Sequence, residues 1–158
     1  MTVRARICAL ALPWEGTPYH KLGCVPGVGA DCSSLLWTCY GTLTGNAPWQ
    51  PYGAAPKACA ALLSAQWEYH TQREVLLEAI RRYMPRLTEI PHTAAVPGDF
   101  LLLGFPGCPA SHAALLLPGE MVLHPVRTGH GTVLQRERRH AALRKTERTA
   151  FSFEASHV

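Results

Sequence analysis

A cysteine at the start of a predicted helix is the residue of this chain best placed to act as a nucleophile. Cys32 precedes apolar residues spaced as on one helix face, namely Leu35, Leu36, Cys39, Tyr40 and Leu43. Asp31 is a favourable N-cap residue, whereas the Gly- and Pro-rich residues 25–30 disfavour a helix. The spacing therefore predicts a helix over 32–44, with Gly45 as its C′ residue. At its first turn the backbone N–H groups and the helix dipole favour a thiolate, which is the nucleophilic form of cysteine.

Two histidines lie on runs that predict adjacent antiparallel strands. His112 begins one run and His124 lies near the end of the next, with Pro118-Gly119 between them. A two-residue loop would place the two side chains on opposite faces, because a one-residue change of register reverses every side chain. A three-residue loop that includes Glu120, with Gly119 or Glu120 left-handed, places both on one face. We therefore predict an odd-length turn or a bulge here.

A cysteine and a histidine from separate regions of a chain form the catalytic arrangement of cysteine hydrolases. In that arrangement His112 would take the thiol proton as general base and return it to the leaving amine. His124 would fix the tautomer and the ring plane of His112. Taken singly, each strand histidine is equally well explained as a surface or core residue with its hydrogen bonds satisfied.

The remaining patterns place helices before strands. The predicted helices cover 2–12, 32–44 and 72–84, the last between the capping box Thr71-x-x-Glu74 and Pro85. A surface loop over 46–56, with three prolines and two aromatic residues, would shape access to a groove. The predicted strands are 99–104, 112–117, 121–126 and 149–153. Helices followed by antiparallel strands predict an α+β fold with the helices packed on one face of the sheet.

Length and charge favour a single globular domain. The 158 residues are 47% hydrophobic and 16% charged, which suits one domain over 1–158.

The positive charge of the chain is concentrated near its C-terminal end. The formal net charge is +4, and residues 136–148 hold six Lys and Arg against two Glu. Such a basic segment could meet an anionic partner, but it is usually a solvated face. We expect no nucleic acid to bind there, because the run contains no aromatic residue to stack on bases.

The first apolar run does not have the form of a targeting segment. Arg4 and Arg6 precede the run from Ile7 to Leu12, which is too short for the apolar core of a signal peptide. Helical spacing instead predicts an amphipathic first helix. No stretch is long enough to span a membrane, so we expect none.

The six cysteines suggest free thiols in a reducing compartment rather than structural disulfides. Cys8, Cys39 and Cys59 are interpreted as small core residues. A zinc site is the alternative, but Cys24 and Cys108 lie in isolated loop positions, and neither Cys-x-x-Cys nor His-Glu-x-x-His occurs. We therefore expect neither a metal nor another cofactor.

Four segments resemble motifs of the NlpC-type papain-like cysteine peptidases, which cut bacterial cell-wall peptides. They are Trp14-x-Gly16-Thr17-Pro18-Tyr19 (opening motif), Gly29-Ala30-Asp31-Cys32-Ser33-Ser34-Leu35 (nucleophile motif), Pro97-Gly98-Asp99-Phe100 (first core strand) and Ser111-His112-Ala113 (base). The resemblance implies a papain-like α+β core with Cys32, His112 and His124 as the catalytic triad. Tyr19 would line the active site, and Asp31 and Ser33 would belong to the substrate and oxyanion region. The chain departs from the family at Ser34, where most members carry Gly.

The resemblance implies a peptidoglycan hydrolase that cuts an amide bond of the stem peptide through a thioester on Cys32. The Gly-Val-Gly-Ala-Asp-Cys run and the Pro/aromatic loop are most similar to the branch encoded beside phage tail genes and gene transfer agents. A catalytic domain without an export signal or a wall-binding module needs delivery to the wall. We therefore expect cytoplasmic synthesis and incorporation into a phage-like tail, with tail hub or tip proteins as partners. Two alternatives stay open, namely a structural tail-tip protein and an acyltransferase that uses the same triad.

Overall fold

The computed structural model describes residues 1–20, 23–44, 75–104, 112–139 and 146–153. The helices are α1 (Val3–Ala11), α2 (Cys32–Thr44) and α3 (Val75–Tyr83), and short 3-10 turns cover Leu12–Trp14 and His92–Ala94. The strands are β1 (Cys24–Val25), β2 (Gly29–Ala30), β3 (Thr88–Ile90), β4 (Phe100–Gly104), β5 (His112–Leu117), β6 (Met121–Thr128), β7 (Gly131–Arg138) and β8 (Thr146–Ser152). Some predictions concern residues outside this described part of the chain. They are those for Gly45, the 46–56 loop, the capping box at 71–74, Cys59 and Cys108.

Six of these strands form one antiparallel sheet in the order β3-β8-β4-β5-β6-β7, and β1 and β2 form a separate hairpin. The larger apolar cluster joins the helices to the sheet face that carries Ala113 and Leu115. A smaller cluster, which includes Ala114 and Leu116, covers the opposite face. The predicted α+β arrangement of helices on an antiparallel sheet is therefore confirmed.

The predicted helices and strands are confirmed in the described residues, with shifts at their ends, but two strands of the main sheet were not predicted. β3 has three residues, too few for a periodic pattern to be visible. β7 lies at the edge of the sheet and buries only Leu134, while charged side chains occupy most of its second half. The strand alternation of β7 is therefore hidden in the sequence by polar residues on both faces.

The basic segment 136–148, in the part that the structure describes, is a solvated face at Arg136 and Arg138, which are exposed, but not at Arg139. Arg136–Arg138 belong to β7, and Arg139 forms an ion pair of 2.7 Å with Glu147. The side chains of Arg139 and Glu147 are only 17% and 6% exposed. Burial raises the pKa of the Glu147 carboxyl, but hydrogen bonds and positive charge from Arg139 and His92 outweigh it and leave the pKa below its usual value.

Helix α1 is fixed to the sheet through the Pro97-Gly98-Asp99 turn. Gly98 has a φ of 98°, and a Cβ there would lie 2.6 Å from the Cβ of Arg4, so glycine allows the helix to pass directly over the turn. The buried Asp99 accepts hydrogen bonds from Arg4 Nε at 3.0 Å and from the Val96 N–H at 3.0 Å. Arg4 also donates to Ser152 Oγ at 2.9 Å, which ties α1 to β8.

Arg4→Ala is expected to lower the free energy of unfolding by about 3 kcal/mol, because it leaves the Asp99 carboxylate buried without its charge partner. Urea denaturation measures this loss. Arg6→Ala is the matched control, since Arg6 is exposed on the same helix and its removal should cost no more than about 0.5 kcal/mol. Equal losses from the two variants would show that Asp99 does not depend on the guanidinium group.

Candidate active site

The candidate nucleophile, Cys32, lies at the N-terminus of α2, which a buried carboxylate caps. Asp31 is fully buried, and its Oδ1 accepts hydrogen bonds from the N–H of Ser33 at 2.9 Å and of Ser34 at 2.8 Å. The Ser33 hydroxyl donates to the same oxygen at 2.8 Å. Three donors therefore converge on one carboxylate oxygen and fix Cys32 at the first position of α2, as the sequence predicted.

Ser34, the position at which the chain departs from the resembled family, closes the same turn. Its hydroxyl donates to the carbonyl oxygen of Asp31 at 3.0 Å and accepts from the Asp31 N–H at 3.0 Å. A glycine there could make neither bond, so the serine adds rigidity to the turn before Cys32. Asp31 and Ser33 were predicted as substrate or oxyanion residues. The structure gives both side chains hydrogen bonds within the cap, and their part in substrate binding stays a prediction.

The other described thiols lie in settings that disfavour ionisation. Burial raises the pKa of Cys39 to about 12, with a smaller contribution from Cys8. Burial also raises the pKa values of Cys8 and Cys24, helped by the negative charges of Asp99 and Asp31 respectively. The core interpretation of Cys39 is confirmed, whereas the loop position predicted for Cys24 is wrong, because Cys24 is buried in β1. Of the described thiols, Cys32 is the one that lies at the start of a helix, and it is 7% exposed.

The two histidines lie on one face of the sheet and contact each other. The strand pairing places Leu117 opposite Met121, which leaves a three-residue turn in which Gly119 and Glu120 have φ values of 78° and 55°. The predicted odd-length turn is therefore confirmed. Nε2 of His112 lies 3.2 Å from Nδ1 of His124, and the two rings meet edge to face. His124 is 4% exposed, so this contact is largely shielded from water.

A carboxylate on β7, which was not predicted from the sequence, extends this pair. Oε2 of Glu137 lies 2.8 Å from Nε2 of His124. The register places Glu137 opposite Val122, two residues before His124, so the two side chains are diagonal neighbours on one face. Glu137 was missed because β7 was missed. The sequence did contain one indication of this strand. The turn residues 129–131 are followed by Thr132, Leu134 and Arg136 at alternate positions.

The opening motif connects β7 to the segment that leads into Cys32. The Tyr19 N–H donates to the carbonyl oxygen of Thr132 on β7 at 2.7 Å. The Ala30 N–H donates to the carbonyl oxygen of Pro18 at 3.0 Å, so β2 runs beside the motif. Because Ala30 is two residues before Cys32, backbone hydrogen bonds fix α2 relative to the edge strand. Tyr19 is half-buried in this segment, and its place near the nucleophile stays a prediction.

The histidine face is distinct from the face that the helices cover. Alternation along β5 places His112 with Ala114 and Leu116 of the smaller cluster, whereas Ala113 and Leu115 pack with the helices. The opening motif bonds the outer edge of β7, and α2 begins after β2 on that side. These backbone hydrogen bonds connect the segment before α2 to the sheet at the β7 edge.

Among the described residues, no group of three or more His, Cys, Asp and Glu side chains is arranged to hold a metal ion. None of the described helices is long and apolar enough to cross a membrane.

Asp31→Ala is expected to cost about 2 kcal/mol of unfolding free energy, the upper end for a lost N-cap, because three donors lose a buried acceptor. Asp31→Asn keeps an acceptor oxygen and should cost less. Thr2→Ala is the control, since Thr2 caps α1 through one exposed hydrogen bond and should cost about 1 kcal/mol or less. Denaturant titrations measure all three losses, and an Asp31→Ala loss equal to that of Thr2→Ala would contradict the buried cap.

Comparison with known proteins supports the architecture. No family model and no curated protein matches the chain. Among solved structures it is similar to the crystal structure of the NlpC/p60 domain of the peptidoglycan hydrolase SagA, with a TM-score of 0.54 and 24% sequence identity. The alignment covers 94% of this chain and 97% of that one. The helices and the six-stranded antiparallel sheet therefore have the fold of an NlpC/p60 domain.

Proposed function

We propose that this chain is a cysteine peptidase that hydrolyses an amide bond of the peptidoglycan stem peptide, with Cys32, His112 and His124 as its catalytic residues. The observation that carries the proposal is the 3.2 Å contact between His112 and His124, two residues whose placement on one face follows from the three-residue turn. The helix N-terminus at Cys32 supplies the setting in which a thiolate is favoured. The NlpC/p60 fold is that of a domain of a peptidoglycan hydrolase, which supports the substrate class.

The contact between the histidines selects the nitrogen that serves as the base. Nε2 of His112 is directed at His124, so Nδ1 of His112 is the nitrogen left to face the thiol. A neutral imidazole has one donor and one acceptor nitrogen. His112 therefore acts as a base at Nδ1 when its own proton is on Nε2 and is donated to Nδ1 of His124.

The reaction has two steps that share this histidine. The thiol proton passes to Nδ1 of His112, and the sulfur attacks the amide carbonyl carbon to form a tetrahedral intermediate. The C–N bond breaks, the amine leaves with the proton from His112, and a thioester remains on Cys32. A water molecule then gives a proton to His112 and attacks the thioester carbonyl carbon. The C–S bond breaks, the acid is released, and His112 returns the proton to the sulfur, which restores the thiol. The Cys32 backbone N–H, at the first position of α2, is the proposed oxyanion donor.

The remaining predicted site residues have supporting parts in this proposal. The half-buried Tyr19, paired with Ala30, lines the approach to Cys32. Asp31 and Ser33 hold the backbone of the first helical turn, and through it the oxyanion donor. We further propose that the protein is carried to the cell wall in a phage-like tail, in contact with hub or tip proteins. The support for delivery is the resemblance of the Gly-Val-Gly-Ala-Asp-Cys run to that branch of the family.

Digestion of purified peptidoglycan tests the reaction. Wild-type protein in reducing buffer should release stem-peptide fragments that mass spectrometry identifies, and Cys32→Ala should release none, because the nucleophile is absent. Cys8→Ala is the control, since it removes a thiol from α1 and should leave the products unchanged. Equal release by Cys32→Ala would remove Cys32 from the mechanism, and cleavage confined to glycan or ester bonds would contradict the proposed bond. Release by neither protein would favour a structural tail-tip role.

Alkylation tests the pairing of Cys32 with His112 without any substrate. Near neutral pH, iodoacetamide should modify Cys32, and His112→Ala should slow this modification by about tenfold or more, because the base no longer favours the thiolate. Peptide mapping separates Cys32 from the other thiols. Cys39, whose pKa is about 12, should stay unmodified and serves as an internal control. An unchanged rate in His112→Ala would show that His112 is not the base for this thiol.

A further inference from the structure

We propose that Glu137 is a positioning residue that sets the tautomers of both histidines, an inference that rests on the proposed peptidase function. Glu137 contacts neither the thiol nor any reacting atom in this scheme. It acts through His124, whose Nε2 lies 2.8 Å from Glu137 Oε2. The relay from Glu137 to His124 to His112 crosses the three neighbouring strands β7, β6 and β5.

The direction of the relay follows from the acceptor character of a carboxylate. An ionised carboxylate only accepts hydrogen bonds, so the short contact to Glu137 requires the proton of a neutral His124 to be on Nε2. Nδ1 of His124 is then an acceptor, and the 3.2 Å contact requires the proton of His112 to be on Nε2. His112 is left with an unprotonated Nδ1, which is the state that a base toward Cys32 needs.

Without the carboxylate, the opposite pair of tautomers becomes available. His124 could carry its proton on Nδ1 and donate it to Nε2 of His112. The proton of His112 would then be on Nδ1, where it blocks transfer from the thiol. Glu137 therefore determines which of two hydrogen-bonding directions the histidine pair adopts.

The surroundings of Glu137 leave its carboxylate directed at His124. Of the arginines close to it in sequence, Arg136 pairs with Glu15 at 2.8 Å, Arg139 pairs with Glu147 at 2.7 Å, and Arg138 is exposed on β7. His124 is almost fully buried, and the Glu137 side chain is 32% exposed. The histidine end of the contact is therefore shielded from water, and water competes with it only at the carboxylate end.

The kinetic test compares Glu137→Ala and Glu137→Gln in the wild-type background. Glu137→Ala should lower kcat about tenfold or more with KM unchanged, because it changes the protonation of the base and not substrate binding. Glu137→Gln should have an intermediate kcat, since its amide oxygen can still accept from Nε2. Glu89→Gln removes an exposed carboxylate on β3, at the opposite edge of the sheet from β7, and should leave kcat unchanged. An unchanged kcat in Glu137→Ala would overturn the inference.

Nitrogen-15 NMR of the histidines provides a readout that needs no turnover. In folded Cys32→Ala protein, His124 should be protonated at Nε2, and adding Glu137→Ala should give a mixture of tautomers. A His124 proton on Nδ1 in the single variant, or an unchanged tautomer in the double variant, would overturn the inference even if kcat falls. If Cys32→Ala digests peptidoglycan as fast as wild type, the proposed peptidase mechanism fails, while the NMR result still decides how Glu137 acts on His124.

Discussion

The capping of α2 by the buried Asp31 carboxylate is the interaction on which the candidate site depends. A carboxylate that is fully buried must have its oxygens satisfied, and here one of them accepts three hydrogen bonds from Ser33 and Ser34. Those donors converge only if the helix begins at Cys32. A helix that began one residue earlier or later would leave the carboxylate buried without them. The position of the thiol is therefore set by the energetic cost of an unsatisfied charge.

The second constraint is the parity of the turn between β5 and β6. Because side chains alternate along a strand, one residue more or less between Leu117 and Met121 would move His124 to the face covered by the helices. Gly119 and Glu120 both adopt positive φ, which glycine tolerates at little cost and glutamate at some cost. The strained Glu120 is thus part of what keeps the two histidines on one face.

The parts of the structure that could be predicted from sequence are those whose evidence is local. Three features depend only on neighbouring residues, and each predicted its element correctly. They are the helix cap, the apolar stripe after Cys32 and the turn at Pro118. The pairing of Arg4 with Asp99 joins residues 95 apart, so no periodic pattern shows it. Glu137 was hidden for a different reason. Edge strands bury few side chains, and the only fully buried side chain of β7 is Leu134, so charge dominated the interpretation of its sequence.

The strand that was hardest to recognise from the sequence is also the one that joins the two halves of the candidate site. Its inner edge pairs with β6 along eight residues and so fixes Glu137 relative to His124. On its outer edge, the Thr132 carbonyl oxygen accepts a hydrogen bond from the Tyr19 N–H. This bond holds the segment that leads to Cys32. The backbone of an edge strand can bond on both sides whatever its side chains are, so it can carry charged residues without losing its place in the sheet. A polar edge strand therefore provides both a carboxylate for the histidines and a backbone connection to the nucleophile.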